Sequence, residues 1–456
     1  MPHWRRHGRP GKFLQGDRPP PIRGTSPHAL VMQEVVIEAP YEFIPAHRGR
    51  LWPWFLSNFI ASWYLRKYYG LRGCEVRGSE KLRASLDAGH GILLPSNHAR
   101  PCDPMAAAWL TMAVDHPFYC MASRHTFNQV WYEKYLMRRC GAFSINREAP
   151  DHASLSFSVE SIANADRPIF LFAEGNLTRH NDRLAPLLDG AASIARMAAK
   201  RRAKQNPPGK VVVHGLIFKY YFRGSLEETL TPVLDDLDRR MNLGPSDGLS
   251  LKERVLRVTE GQLANREREF LGEVRSGDLQ ERIERFLEDA LGPIDAEWVS
   301  DEAPRRGNYH RIQRLRSRIL PDMIDKKVGE EERARRWKQL AACYAAQQWG
   351  LYLPGYLDGD PPPEHLIETV ERTEEDLTDA VTLHAPFDVV IHVGDAIEVP
   401  TRRVRGQDED PLTTELTAQM QRMLDHAIAH PPEPIRGYRV VADPLPREVP
   451  ERVAAN

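Results

Sequence analysis

The spacing of apolar positions between residues 75 and 222 predicts strands that alternate with helices. Short apolar runs favour buried strands at Gly91–Pro95, Pro117–Ala122, Ala142–Asn146, Ile169–Ala173 and Val211–Tyr220. Helical spacing fills the stretches between them, at Pro104–Val114, Phe127–Arg139, His152–Ala165 and Gly190–Lys204. Because this alternation is typical of α/β proteins, we predict an α/β domain with a largely buried sheet.

The pattern then changes to one dominated by helices. Residues 225–383 are highly charged, carry few strand signals and predict several amphipathic helices. The clearest helix has one apolar stripe at helical spacing, formed by Leu279, Ile283, Phe286, Leu287, Ala290 and Leu291. Strand character returns at Phe387–Gly394, and a further amphipathic helix is predicted near Leu412–Ile428.

A separate helix is predicted at Leu51–Tyr69, where aromatic residues are unusually dense. Pro53 suits a first helical turn, and apolar residues recur every three or four positions from Leu56 to Trp63. Tryptophan and tyrosine combined with a basic end are typical of a helix that lies in a membrane interface. The same apolar face fits a helix that covers the core of the next domain, so both interpretations stay open.

Composition and charge exclude several classes of protein. The 456 residues are 41% hydrophobic, enough for a sizeable core, yet contain no apolar run long enough for a transmembrane helix. With 62 Lys and Arg against 63 Asp and Glu, there is no bulk electrostatic argument for a nucleic-acid partner. Met1–Leu30 lacks the apolar stretch of a secretory signal, so we expect a disordered basic tail. The five scattered cysteines predict reduced thiols of an intracellular protein.

Candidate chemistry gathers where the first predicted strand ends, in the run Ser96-Asn97-His98-Ala99-Arg100-Pro101-Cys102-Asp103-Pro104. His98 and Asp103 are five residues apart, so they meet only if the chain turns between them, as Pro101 allows. Ligand sites in α/β folds lie beyond the carboxyl ends of strands, which favours a functional pair. The alternative is that Asp103 only caps the helix that begins at Pro104, while His98 only satisfies the loop.

Three further segments surround the ends of predicted strands. They are Gly141-Ala142-Phe143-Ser144-Ile145-Asn146-Arg147, then Phe170-Leu171-Phe172-Ala173-Glu174-Gly175 with Thr178-Arg179, and Val211-Val212-Val213-His214-Gly215-Leu216-Ile217. In this order and spacing, the four segments resemble the four blocks of the glycerolipid acyltransferases, the lysophosphatidate acyltransferase-like family.

Two of the four blocks are complete and two are altered. The complete blocks comprise Asn97, His98 and Asp103 in the first, and Gly141, Ile145 and Arg147 in the second. The third keeps Phe172, Glu174, Gly175, Thr178 and Arg179. It has Ala173 in place of Pro and two extra residues, Asn176 and Leu177. In the fourth, His214 or Gly215 stands where the family has Pro, so the acceptor is an open question.

The resemblance covers about 75–222, with a return near 387–430, and implies a mixed, mostly parallel sheet flanked by helices. We expect 225–383 to be a large all-helical insertion, so that Val389–Val393 pairs in the same sheet as Gly91–Pro95 and Val211–Tyr220. The alternative is two consecutive domains. The predicted segments are 1–50 (disordered basic tail and lead-in), 51–74 (interfacial helix), 75–224 and 384–430 (acyltransferase domain), 225–383 (insertion) and 431–456 (C-terminal tail).

The residue types suit acyl transfer from a thioester to an alcohol. His98 is the predicted general base, because an imidazole is matched to neutral pH, and Asp103 would orient it. Arg147 and Arg179 offer forked donors suited to a phosphate on the acceptor. The resemblance assigns Glu174, Gly175 and Thr178 to the same acceptor pocket. Cys102 is interpreted as filler within the turn.

Three functional hypotheses follow. The first is an O-acyltransferase that uses acyl-CoA or acyl carrier protein to acylate lysophosphatidate or a related lysolipid. It would act at the cytoplasmic membrane surface as a peripheral protein, without metal or other cofactor. The second is the same chemistry on another acceptor, such as a lyso-aminolipid. The third is a non-catalytic lipid-binding scaffold, which would have no need of a base.

Overall fold

The computed structural model describes residues 30–31, 36–127, 131–300, 307–402 and 410–445, with the backbone alone at 30–31 and 131–133. The disordered tail predicted over Met1–Leu30 therefore lies outside the described residues, apart from Leu30. Residues 36–50 pack along the domain that follows. Tyr41 and Ile44, for example, place the Tyr41 hydroxyl 2.9 Å and the Ile44 amide nitrogen 2.8 Å from the Ser144 hydroxyl oxygen.

Strands and helices alternate through the first half of the described chain. The strands are β1 (Leu30–Val31), β2 (Leu71–Arg77), β3 (Gly91–Ser96), β4 (Tyr119–Ser123), β5 (Ala142–Ile145), β6 (Ile169–Phe172), β7 (Val211–Val213), β8 (Leu216–Phe222), β9 (Ala380–Val381), β10 (Phe387–Val393), β11 (Ile397–Glu398) and β12 (Gly437–Val441).

Helices account for most of the remaining chain. The α-helices are α1 (Leu51–Phe55), α2 (Ala61–Tyr69), α3 (Ser79–Asp87), α4 (Asp103–Val114), α5 (Trp131–Arg139), α6 (His152–Ala163), α7 (Gly190–Arg202), α8 (Leu226–Arg240), α9 (Leu251–Leu271), α10 (Leu279–Trp298), α11 (Asn308–Ile324), α12 (Glu330–Trp349), α13 (Pro363–Thr378) and α14 (Pro411–Ala429). A π-helical turn at Leu56–Ile60 joins α1 to α2, and a short 3₁₀ helix covers Arg124–Phe127.

One large sheet carries the fold. Its order is β12-β2-β10-β8-β3-β6-β4-β5, with β7 between β3 and β11. Among these strands, the pairs β10–β8 and β7–β11 are antiparallel, and the other pairs are parallel. Helices α2, α3, α4, α8, α9 and α13 share an apolar core with one face, and α6, α7 and α14 share one with the other. The predicted class, α/β with a mixed, mostly parallel sheet flanked by helices, is confirmed.

Strand β10 places a late part of the chain between early strands of this sheet. It is fully buried and lies between β2, to which it is parallel, and β8, to which it is antiparallel. Val389 pairs with Cys74 on one side and with Tyr220 on the other. The pairing expected for Val389–Val393 is therefore present, and the sheet is built from chain on both sides of residues 225–383.

Those intervening residues do not behave as one separate unit. Helices α8, α9 and α13 pack against the sheet through its own core, whereas α10, α11 and α12 bury their apolar faces mainly against one another. The segment is also not wholly helical, because Ala380–Val381 forms a strand. The description of 225–383 as an all-helical insertion thus fits α10–α12 best.

Three boundaries differ from the sequence-based expectation. The strand predicted at Val211–Tyr220 is broken at His214, whose Nδ1 donates to the Gly394 carbonyl at 2.9 Å and whose Nε2 accepts from Ser85 Oγ at 2.9 Å. The helix predicted at Leu51–Tyr69 does end at Tyr69, but the segment 51–74 assigned to it also includes the start of β2 at Leu71. The segment predicted as a C-terminal tail contains β12, which extends the sheet beside β2.

Candidate active site

Two neighbouring parallel strands position the centre of the site. In the register of β3 and β6, Ser96 lies opposite Phe172, and the chain leaves both strands at the same edge of the sheet. His98 follows the first strand and Glu174 follows the second, so the two loops emerge side by side. Sites in open α/β sheets form at this edge, where the chain leaves the carboxyl ends of the strands.

His98 and Asp103 form a direct pair. His98 Nδ1 lies 2.8 Å from Asp103 Oδ2, and the imidazole stacks on the Phe172 ring with centroids 3.7 Å apart. A carboxylate only accepts, so Nδ1 carries the proton and the lone pair remains on Nε2. Among the described residues, Nε2 has no hydrogen-bond partner, while the side chain retains 15% of its exposure. Asp103 thus orients the imidazole through Nδ1, while Nε2 remains available as a hydrogen-bond acceptor.

The Asp103 carboxylate accepts hydrogen bonds at both of its oxygen atoms. It is fully buried at the start of α4, where Oδ2 also accepts from the Arg100 backbone N–H at 2.9 Å. Oδ1 accepts from the Tyr220 hydroxyl. The alternative that Asp103 only caps this helix does not hold, because the cap position is Cys102 and no side-chain cap bond forms. The Asp103 carboxylate contacts His98 and does not cap the end of helix α4.

Glu174 and Thr178 bracket the backbone of His98. One Glu174 oxygen accepts from the His98 N–H at 2.7 Å, and the other accepts from the Ala185 N–H at 2.8 Å. Thr178 Oγ1 donates to the His98 carbonyl at 3.1 Å. Burial raises the pKa of Glu174 to about 7, against the opposing effect of these hydrogen bonds. Both residues fix the loop that carries the histidine, and their predicted contact with an acceptor stays a prediction.

Gly175 has a conformation that explains its residue type. Its φ of +77° lies in the left-handed region, which favours glycine. A Cβ atom at this position would also lie 2.5 Å from Leu188 Cδ1 and 3.0 Å from Tyr309 Cζ. The turn after β6 therefore packs closely against helix α11, to which Tyr309 belongs.

The two arginines predicted to bind phosphate have very different surroundings. Arg179 is buried, and its guanidinium pairs with Glu371 at 3.4 Å and with Glu375, both on α13. Arg147 follows β5 and forms no side-chain hydrogen bond or ion pair with the rest of the described chain. It lines a small hollow that also borders α11 and α12. The structure does not bring the two arginines to a shared partner.

Sequence reasoning missed several groups that support the pair. Tyr220 was predicted only as a strand residue, and Arg100 only as part of the loop. Arg100 pairs with Glu371 at 3.3 Å and lies over the Phe387 ring, 3.7 Å from its centroid. The spacing of the glutamates at positions 364, 368, 371 and 375 places them on one face of a helix. That spacing is the sequence signal that could have identified them.

Cys102 is not placed as a nucleophile. Its thiol lies 3.6 Å from the Tyr220 hydroxyl oxygen, and burial raises its pKa to about 12. Because the thiolate is the reactive form, this cysteine is inert at neutral pH. The sequence-based interpretation of Cys102 as filler agrees with that environment.

Comparison with known proteins gives a family match that includes the His98–Asp103 pair, and a relative. Residues 73–216 match the family model described as Acyltransferase. Over 126 residues, the chain is 30% identical to a 1-acyl-sn-glycerol-3-phosphate acyltransferase from Streptococcus pneumoniae. That alignment covers 27% of this chain and 44% of the relative, so the chain spans less than half of the relative's length.

Proposed function

From the premise that residues 73–216 form a domain of the glycerolipid acyltransferase family, we propose that the protein is an O-acyltransferase. It transfers a fatty acyl group from acyl-CoA or acyl carrier protein to the hydroxyl of lysophosphatidate or a related lysolipid. The observation that carries the proposal is the His98–Asp103 pair, with Nδ1 engaged at 2.8 Å and Nε2 unpaired among the described residues.

The geometry supports a complete proton path. His98 Nε2 takes the proton of the acceptor hydroxyl while that oxygen attacks the thioester carbonyl carbon. Asp103 stabilises the imidazolium that forms and keeps the proton on Nδ1. The tetrahedral intermediate collapses with cleavage of the carbon–sulfur bond. The imidazolium then returns its proton to the leaving thiolate, which gives the acyl ester and a free thiol.

A thiol-release assay tests this function. Purified protein is supplied with palmitoyl-CoA and, separately, lysophosphatidate, a lyso-aminolipid and monoacylglycerol, with the lipid products identified. The proposal expects acceptor-dependent thiol release matched by formation of the acylated lipid, with lysophosphatidate the preferred acceptor. Absence of release with every acceptor and with acyl carrier protein as donor would favour the scaffold.

One observation favours the second candidate, the same chemistry on a different lysolipid. Arg179, which the family pattern assigns to acceptor binding, is enclosed by Glu371 and Glu375. An arginine with two carboxylate partners has less to offer a phosphate, because the ligand must replace those partners. Preference for a lyso-aminolipid over lysophosphatidate in the same assay would establish this candidate.

The exposed aromatic residues of the helical segment Leu51–Tyr69 support the proposal that the protein attaches to a membrane surface as a peripheral protein. The inner side of this segment is anchored by Leu65, which is fully buried, and by Ser62, whose hydroxyl accepts from Trp109 Nε1 at 3.0 Å. The outer side exposes large apolar groups, among them Phe59 at 60% and Trp63 at 54%. Such a face suits the headgroup region of a bilayer. No helix within the described ranges is long and apolar enough to cross one.

Membrane washing tests this location. Carbonate or high salt should release the protein from membranes, because the attachment involves one helix face. Replacing Phe59 and Trp63 with serine should reduce binding of the protein to lipid vesicles, whereas serine at the buried Leu65 would disturb the fold. Release by detergent alone would contradict peripheral attachment.

A further inference from the structure

Arg316 is a buried arginine without the partners that such a residue needs. It lies on α11, is 6% exposed, and its Nε and Nη2 atoms have no hydrogen-bond partner in the described structure. The other buried arginines in the described part of the helical segment donate hydrogen bonds to carboxylates or to backbone carbonyls. Arg282, for example, donates to Glu267 at 3.1 and 2.6 Å. An unpaired buried charge is costly, so its presence calls for a ligand that satisfies it.

Arg316, which carries these unpaired atoms, lines the same hollow as Arg147. Arg316 and Arg147 contribute two guanidinium groups to this hollow, and Glu148 is the one carboxylate among its lining residues. Glu148 forms no ion pair with either arginine in the described chain. Burial lowers the pKa of Arg316, but an arginine starts so high that it stays charged at neutral pH. The hollow therefore carries a net positive charge.

A neighbouring histidine reports the same positive field. His125 follows β4, between the strands that lead to Arg147 and to Glu174. Burial lowers its pKa to about 3, with further lowering by Arg147, Arg316 and Arg124 in that order. The imidazole is therefore neutral, and the positive charge of this region comes from the arginines.

The hollow adjoins the loop that holds His98. Asn176, which lines the hollow, lies two residues after Glu174, whose carboxylate accepts from the His98 N–H. Gln347 on α12 donates to Asn176 Oδ1 at 3.3 Å, and Gln313 on α11 donates to the Arg147 carbonyl at 2.8 Å. Helices α11 and α12 are thus fastened to the two loops that follow β6 and β5.

We propose that Arg316 and Arg147 together bind the phosphate monoester of the acyl acceptor, so that helix α11 supplies a specificity-determining residue. The inference rests on the proposed function for the identity of the ligand. Two guanidinium groups bind a phosphate dianion with forked hydrogen bonds, which the unpaired Nε and Nη2 atoms of Arg316 are free to supply. Arg179 keeps its ion pairs with Glu371 and Glu375. Helix α11 then contributes to recognition of the acceptor.

Equilibrium binding without a donor tests the assignment. Calorimetry compares wild type with Arg316→Met for octanoyl lysophosphatidate, octanoylglycerol, CoA and dephospho-CoA. Loss of a hydrogen bond to a charged group predicts that affinity for lysophosphatidate falls by about tenfold or more, while affinity for octanoylglycerol is unchanged. Unchanged affinity for lysophosphatidate overturns the proposal. So does a loss confined to CoA relative to dephospho-CoA, which would assign the site to the donor.

Thermal unfolding without ligand separates a binding role from a structural one. Because Arg316 is unpaired and buried, Arg316→Met should leave the unfolding temperature equal to or above that of wild type. A clear decrease would mean that Arg316 stabilises the fold, and it would overturn the proposal. Arg318→Met, the same substitution at an exposed position of α11, is the matched control and should leave lysophosphatidate binding unchanged. If wild type binds lysophosphatidate through Arg316 but releases no thiol, the proposed function fails and this inference stands.

Discussion

Arg147 and Arg179 belong to the same family pattern and were predicted for the same task, yet their surroundings are opposite. Around Arg179, a polar cluster is closed: Glu371 and Glu375 occupy the guanidinium, and Glu371 also pairs with Arg100. Around Arg147, the hollow is open and holds a second unpaired guanidinium, that of Arg316. A motif identifies the residue type at a position, whereas the rest of the fold decides whether its charge remains available.

The partners explain the difference. Helix α13 presents a row of buried glutamates to the sheet, and these residues satisfy the arginines that they reach. Helix α11 presents Arg316 and Gln313 to the hollow, and so it adds donors where α13 adds acceptors. The helical segment therefore neutralises one part of the site and increases the positive charge of another.

The largest expected effect on stability comes from Arg179. Arg179→Ala leaves Glu371 and Glu375 without a shared cation in a buried position, which should lower the free energy of unfolding by about 3–5 kcal/mol. Arg147→Ala removes an unpaired side chain and should change it by no more than about 0.5 kcal/mol. Urea denaturation of both variants checks this. Equal losses would break the comparison, and Arg179→Lys provides an intermediate if the alanine variant does not fold.

Glu174 gives the next effect, visible in the pH dependence of stability. Its pKa is raised to about 7 in the folded protein, so the folded state binds more protons than the unfolded state between about pH 4.5 and 7. Stability should therefore fall as pH rises through this window, by up to about 3 kcal/mol from this residue. Glu174→Gln should remove that part of the slope, whereas Glu398→Gln, at an exposed carboxylate, should not. An unchanged slope in Glu174→Gln would contradict the assignment.

Tyr220 gives the smallest effect and tests the support of Asp103. Tyr220→Phe deletes a buried hydrogen bond to the carboxylate and should cost about 1–2 kcal/mol of stability. It should also slow acyl transfer by about tenfold, because Asp103 orients His98 less firmly. Tyr221→Phe is the matched control, since it deletes a bond from the adjacent residue to the Ala427 carbonyl at 2.7 Å. Both variants should lose stability; slower transfer in both would remove the special role of Tyr220.

The sequence predicted the central strands because their apolar runs are uninterrupted, as at Ile169–Phe172. It missed β2, a buried strand that contains charged residues. Glu75 there accepts from Arg77 at 2.6 Å and from Arg439 at 2.6 Å, and β12, which carries Arg439, follows more than 350 residues later. Charges that are neutralised by distant partners do not show as a strand in an apolar pattern.

The site shows the same division. The His98–Asp103 contact was predictable because both residues lie in one short loop with a known pattern. The enclosure of Arg179 was not, because its partners are almost 200 positions away on a helix whose glutamates look like a solvent-exposed face in the sequence. Arg316 was missed because the sequence of a charged helix gives no signal for an arginine whose Nε and Nη2 atoms lack a hydrogen-bond partner among the described residues.

The central claim is that His98 is the base of an acyl transfer. The most direct measurement is the rate of acyl transfer by His98→Ala, compared with wild type at saturating donor and acceptor. Loss of a general base predicts a rate about 10²–10⁴-fold lower. The variant should remain folded, because Asp103 keeps its hydrogen bonds from the Arg100 backbone N–H and the Tyr220 hydroxyl. The rate of Asp103→Asn should lie between those of wild type and His98→Ala, because asparagine preserves the shape of the aspartate side chain but not its charge. A wild-type rate in purified, folded His98→Ala protein would contradict the account.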